Sequence, residues 1–140
     1  MSEMIQIDIH KAGGILIQDK KFLIVRSKGK DIFYAPGGKI EGNETPEVSL
    51  VRELKEELSI ETKVTDLEFF GTYIHPVAGK ENLTIEMDVY LVKNWVNEIK
   101  PDNEIEEILW IDSNPPDQLK IGSIFGGEVL PRLKQRNLIA

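Results

Sequence analysis

The chain has no cysteine in its 140 residues. That excludes disulfides, thiolate-bound zinc and a cysteine nucleophile together. Histidine is almost as scarce: His10 and His75 are the only two, lie far apart, form no metal-ligand spacing and read as structural. No apolar run approaches the ~20 residues that span a bilayer. The opening MSEMIQIDIHK also lacks the basic and apolar regions of a secretion signal, so a cytoplasmic location is expected. Positive charge is in deficit, with 17 Lys and Arg against 24 Asp and Glu and a formal net charge of −7. Without an extended basic cluster, neither long nucleic acid nor a membrane is an expected partner. Gly122-Ser123 lacks the G-x-S-x-G elbow, so a serine hydrolase is not supported.

What is present suits one domain over residues 1–140, since 41% hydrophobic content is enough for a single core. Ala12 to Gln18 and Phe22 to Arg26 are apolar runs split by Asp19-Lys20-Lys21, a hairpin signal. Leu67 to His75 is strand-like, and Thr84 to Val92 alternates Ile85, Met87, Val89 and Leu91 against Thr84, Glu86, Asp88 and Tyr90, the pattern of a half-buried strand. Pro76 to Asn82 is expected to form a hairpin loop bordering a site. Glu106 to Asp112 reads as a further strand, and Ser123 to Arg136 as a terminal helix that Gly126-Gly127 and Pro131 interrupt. Strands on both sides of a helix, followed by a closing helix, predict an α/β (α+β) fold with a mixed sheet sandwiched between helices.

The most informative segment runs GKIEGNETPEVSLVRELKEELSI, from Gly38 to Ile60. Thr45 is a candidate N-cap, Pro46 suits the first helical position, and Glu47 complements the helix dipole. At 3.6 residues per turn Glu53, Glu56 and Glu57 share one side, while Val48, Val51, Leu54 and Leu58 form the expected core stripe. Clustered carboxylates repel one another, at roughly 0.2–0.5 kcal/mol per pair on an open helix face. A hard divalent cation would remove that repulsion, and Mg²⁺ prefers such oxygen donors while leaving room for substrate phosphates.

These residues resemble the signature of the Nudix hydrolase superfamily, G-x5-E-x7-R-E-U-x-E-E-x-G-U with U a bulky aliphatic. Gly38, Glu44, Arg52, Glu53, Leu54, Glu56, Glu57 and Ile60 match it, and Pro36-Gly37 just before is also common there. One position departs: Ser59 stands where the family usually has Gly, which puts the turn after the helix in question. The resemblance implies an α/β/α Nudix fold and a Mg²⁺- or Mn²⁺-dependent pyrophosphohydrolase. Glu56 and Glu57 would be metal ligands together with the Gly38 carbonyl. Glu53 would be a further ligand or the base that activates water, Arg52 would orient the carboxylates, and Glu44 would hold the loop or take part in catalysis. The expected substrate is a small nucleotide, foremost a nucleoside triphosphate such as 8-oxo-dGTP cleaved to monophosphate and pyrophosphate. ADP-ribose or a sugar nucleotide is the alternative, suggested by Pro76, and a catalytically silent binding module is a further one. A monomer or homodimer is expected.

Outside the signature the candidates are single residues. Of the loop glutamates Glu98 and Glu104, Glu98 is the favoured further metal ligand. Arg26 could touch a phosphate, Gly37 could line the substrate site, and Phe33, Tyr34, Trp110 or Phe125 could stack on a base. Asp112 could read a purine edge or simply form a turn.

Overall fold

The computed structural model describes residues 6–77 and 79–140. Met1 to Ile5, half of the stretch read for a secretion signal, lie outside the described residues. Strands β1 (Ile9–Ile15), β4 (Gly37–Lys39), β5 (Leu67–Val77) and β6 (Lys80–Val92) form one sheet in the order β4-β1-β6-β5. Strands β2 (Ile17–Gln18), β3 (Lys21–Ser27) and β7 (Ile105–Ile111) form a second, in the order β2-β3-β7. The first sheet is mixed, because β1 runs parallel to β6 and antiparallel to β4. Helix α1 (Pro46–Leu58) packs on one side. A C-terminal helical segment, whose regular part is α2 (Leu130–Gln135), packs on the other.

Two cores follow from this layering. Leu50, Leu54 and Leu58 of α1 meet Ala12, Leu16, Leu23, Val25, Tyr90 and Val92. Ile124, Phe125, Val129, Leu130 and Leu133 of the C-terminal segment meet Ile15, Phe22, Ile24, Tyr73, Met87 and Val89. This is the helix-sheet-helix arrangement expected from the order of elements.

Several expectations change in detail. The run Ala12 to Gln18 feeds both sheets, because the chain leaves β1 at Leu16 and re-enters as β2. The turn after it uses Asp19 and Lys20, both at positive φ. β6 is covered on both faces over its second half, with Asp88 at 9% and Tyr90 at 8% exposure. Its polar positions are buried because they find partners: Thr72 Oγ1 donates to Asp88, and the Tyr90 hydroxyl donates to Glu47. The expected loop from Pro76 to Asn82 contracts to the turn between β5 and β6, with Gly79 at φ 75; Ala78 lies outside the described residues. Pro76 is tolerated in β5 because this is an edge strand and its ladder shifts register right there. Gly126-Gly127 does not break the last helix but widens it into a π-helical turn, Phe125–Val129, and Pro131 sits in the first turn of α2.

Candidate functional site

A cleft of about 630 Å³ opens between the two sheets, lined by residues of β1, β3, β4 and β6, α1 and the start of the C-terminal segment. α1 begins as its sequence requires: Thr45 Oγ1 accepts from the Val48 amide at 3.2 Å, and Pro46 occupies the first turn. Its phase differs from the expected stripe. Val48 is 45% exposed, whereas Ser49, Leu50, Glu53, Leu54, Glu57 and Leu58 are buried. The acidic side is therefore not a free solvent face. Two carboxylates can be buried because the wall they meet is the glycine strand β4. A Cβ at Gly38 would come within 2.5 Å of Glu53 Oε1, so the missing side chain makes room for the carboxylate. Gly37 donates its amide to Glu57 Oε1 at 2.8 Å from a positive-φ backbone.

Arg52 holds the other side of the cluster. Its guanidinium binds Glu44 through two nitrogens, at 2.7 and 2.9 Å, and reaches Glu53 at 3.1 Å and Glu56 at 3.3 Å. These bonds keep Arg52 protonated well above the ordinary guanidinium range and, with the Glu41 amide, hold Glu44 below the usual carboxylate range. Glu56 is exposed and rests on Arg52.

The third member of the cluster is Glu104. Oxygens of Glu53, Glu57 and Glu104 all lie within 4.8 Å of one another. Glu98, favoured from sequence, is instead 81% exposed beside Lys100. The loop from Asn97 to Glu104 makes the choice by binding the carbonyls that α1 leaves unpaired at its C-terminal end. The Lys100 amide donates to Leu58, the Asp102 amide to Glu57 and the Asn103 side chain to Glu56. Asn103 takes a left-handed conformation and delivers Glu104 to the cleft. Ser59 also adopts the left-handed cap, at φ 62, so the turn survives the absence of glycine. Its hydroxyl donates to the Lys100 carbonyl at 3.3 Å.

Burial dominates the electrostatics. Desolvation raises the Glu53 carboxyl and pushes Glu57 up to about 8, where the Gly37 amide opposes the shift and the neighbouring Glu53 and Glu104 add to it. Glu57 makes no ion pair among the described residues. Lys11 and Lys39 face each other across β1 and β4 at the same end of the cleft. The Lys11 ammonium is lowered, first by burial and then by Lys39.

The remaining candidates divide. Gly37, Tyr34 and Phe125 line the cleft, and Tyr34 packs against Gly122. Arg26 does not reach it: the register Arg26↔Glu107 turns the guanidinium onto Glu107 and Glu106 and over Phe33. Trp110 packs into the core beneath α1, and Phe33 is buried. Asp112 accepts from the Asn114 amide, a turn role. His10 lies 2.6 Å from Asp88 and 3.1 Å from Glu86, since the β1–β6 register closes a separation that sequence spacing hid. Lys11 and the polar group around Ser123 are the cleft features that spacing alone did not bring forward, while Glu104, the less favoured of the two loop glutamates, is the one at the cleft.

Comparison with known proteins gives concordant results. The NUDIX domain model matches residues 9–133. An 8-oxo-dGTP diphosphatase of Proteus vulgaris is 42% identical over 64 residues, covering 46% of this chain and 53% of the relative. An ADP-ribose pyrophosphatase of Methanocaldococcus jannaschii is 33% identical over 104 residues, covering 72% and 60%. The chain thus spans between half and three fifths of the length of these relatives. The solution structure of the E. coli ORF135 protein superposes with a TM-score of 0.72 at 24% identity, covering 91% of each chain, a likeness of fold. Among the described residues no helix is long and apolar enough to cross a membrane.

Proposed function

The chain belongs to the NUDIX domain family, and from that premise we propose that residues 1–140 form one Nudix hydrolase domain, a Mg²⁺- or Mn²⁺-dependent nucleotide pyrophosphohydrolase. The observation that carries the reading is the carboxylate group Glu53, Glu57 and Glu104, of which Glu57 is buried and Glu104 exposed, at one end of a cleft large enough for a nucleotide. The donors are oxygens alone, with neither sulfur nor imidazole, and that set suits a hard cation. Glu57, held protonated by burial and like charges, is the group such an ion would ionise. When bound, the cation supplies charge neutralisation for the phosphates and lowers the pKa of water.

The protein's own residues provide the rest. Glu44 fixes Arg52, and Arg52 fixes Glu53 and Glu56, so the carboxylates are oriented before substrate arrives. Glu53 is the ligand or water-activating base. Gly38 contributes a wall without a side chain, and Gly37 orients Glu57. Lys11 and Lys39 offset negative charge on the phosphates. The apolar floor of Ile9, Ile85 and Met87, with Tyr34 and Phe125, accepts the nucleoside.

A nucleoside triphosphate, with 8-oxo-dGTP as the favoured example, is the substrate we assign, giving monophosphate and pyrophosphate. The Proteus vulgaris relative's name supports it. ADP-ribose is the second reading, supported by the Methanocaldococcus jannaschii relative's name and by Pro76, which lines the cleft. The test is a panel of canonical and oxidised triphosphates, ADP-ribose and dinucleoside polyphosphates with Mg²⁺, scoring phosphate and pyrophosphate release. We expect pyrophosphate from triphosphates, and Glu57→Gln to lower kcat/KM by roughly 10²- to 10³-fold. Turnover of ADP-ribose alone would replace the first reading by the second. Equal inertness of wild type and variant on every member would leave a binding module.

A further inference from the structure

At the side of the cleft away from the carboxylates a second polar group is assembled from residues distant in sequence. Ser123 Oγ lies 2.9 Å from His75 Nδ1, and His75 Nε2 lies 2.9 Å from Glu128 Oε2. Ser123 lines the cleft and is exposed. His75 is on β5, three strands across the sheet from β4 and its Gly38, or roughly 14 Å at about 4.8 Å per strand. Between the two ends lie Ile9, Ile85, Met87 and Phe125. A nucleotide whose phosphates meet the carboxylates would therefore bring its nucleoside to Ser123.

The helix is adapted for this. Ser123 and Glu128 are five residues apart, and an α-helix would turn one roughly 140° away from the other. The segment from Phe125 to Val129 is instead π-helical, with the Leu130 amide bonded to the Phe125 carbonyl. Ser123 stands two residues ahead of that wider turn and Glu128 within it, and both meet His75. With a neutral ring the two bonds admit one polarity. An ionised carboxylate only accepts, so Glu128 takes the Nε2 hydrogen; the bare Nδ1 of a neutral ring then accepts from the Ser123 hydroxyl. In that tautomer the hydrogen of Ser123 is committed, and only its lone pairs remain to face the cleft.

We infer that the Glu128–His75–Ser123 relay makes Ser123 a fixed hydrogen-bond acceptor that selects nucleotides presenting an N–H or O–H donor at that wall. Ser123 contacts the substrate; His75 and Glu128 are positioning residues. The inference rests on the nucleotide reading of the cleft given above.

The test compares kcat/KM within matched pairs at pH 8.5, where an unperturbed imidazole is neutral. GTP against ITP and ATP against purine riboside triphosphate remove a base amino group. Ribonucleotides against their 2′-deoxy and 3′-deoxy counterparts remove a sugar hydroxyl. Wild type should prefer the donor-bearing member of one pair by roughly three- to tenfold, the worth of one neutral hydrogen bond. Ser123→Ala should abolish that preference, Ser123→Thr should keep it, and His75→Phe should shrink it while other pairs keep their ratios. Pairs treated alike by wild type, or a ratio unmoved in Ser123→Ala, would overturn the relay and leave the hydrolase standing. A wild type that turns over no nucleotide would remove the reading beneath it and the relay together.

Discussion

Two carboxylate clusters sit on this fold, and they solve the problem of like charge in opposite ways. Around β1 and β6, Asp88 and Glu86 share the imidazole of His10, and Asp88 also accepts from Thr72. At the cleft, Glu57 has a backbone amide and two acidic neighbours but no ion pair among the described residues. Both groups bring three possible ligand atoms within 4.8 Å. The first is closed by an imidazole, whereas in the second Arg52 reaches Glu53 and burial pushes the Glu57 carboxyl up to about 8. Proximity of donors alone therefore does not separate the two groups; the partner each carboxylate finds does.

The largest effect that follows is a dependence of stability on pH in the metal-free protein. Glu57 has its folded value at about 8, above the ordinary glutamate value of roughly 4.3. Between those values the folded chain keeps a proton that the unfolded chain releases, so stability falls as pH rises through the window, in total by the order of a few kcal/mol. On the proposed reading Mg²⁺ binds the ionised form, so the Tm gain it gives should be small near pH 5.5 and large near pH 8.5. Differential scanning calorimetry of wild type and Glu57→Gln, with and without Mg²⁺, measures this. The variant should lose both the pH slope and most of the Mg²⁺ gain. A Mg²⁺ gain independent of pH would show that Glu57 is not the group the ion charges.

The His10 cluster gives the smaller counterpart. His10→Ala leaves Asp88 and Glu86 without their shared donor, which should cost about 1–2 kcal/mol in urea unfolding. It should leave kcat/KM within about twofold, because the imidazole is separate from the cleft lining. Mg²⁺ stabilisation should also be unchanged. Loss of that stabilisation would erase the distinction drawn between the two clusters.

How far the sequence discloses this contrast depends on range. The start of α1 is readable because Thr45 and Pro46 act within one turn, and the signature glutamates are readable because they share that helix. The phase of the helix is not: Val48 is more apolar than Glu53, yet Glu53 is the buried one, because β4 offers it glycine. Nothing in a hydropathy pattern reports a wall without side chains. Glu98 and Glu104 are equivalent as loop residues, and only the bonds from Lys100, Asp102 and Asn103 to the end of α1 separate them. Register, which no local pattern reports, sets Arg26 against Glu107 and packs Trp110 against the core beneath α1. The Ser123 relay joins residues 48 and 53 positions apart through a π-helical turn that Gly126-Gly127 announced only as an interruption.

The smallest effect separates the strength of α1 from the charge it carries. Ser59 occupies a left-handed cap, a conformation that costs a residue with a Cβ about 1–2 kcal/mol, against which its bond to the Lys100 carbonyl at 3.3 Å is partial compensation. Ser59→Gly removes that cost, loses the bond and adds backbone freedom to the unfolded chain, so the net gain should be about 0.5–1 kcal/mol. The gain should be the same with and without Mg²⁺ and at pH 5.5 and 8.5, since nothing in the substitution touches Glu53, Glu57 or Glu104. A gain that grows when Mg²⁺ is present would mean that the helix end and the carboxylates are coupled, through the loop that carries Glu104. In that case the cluster would owe part of its geometry to the cap, and its need for a cation would be mechanical as well as electrostatic.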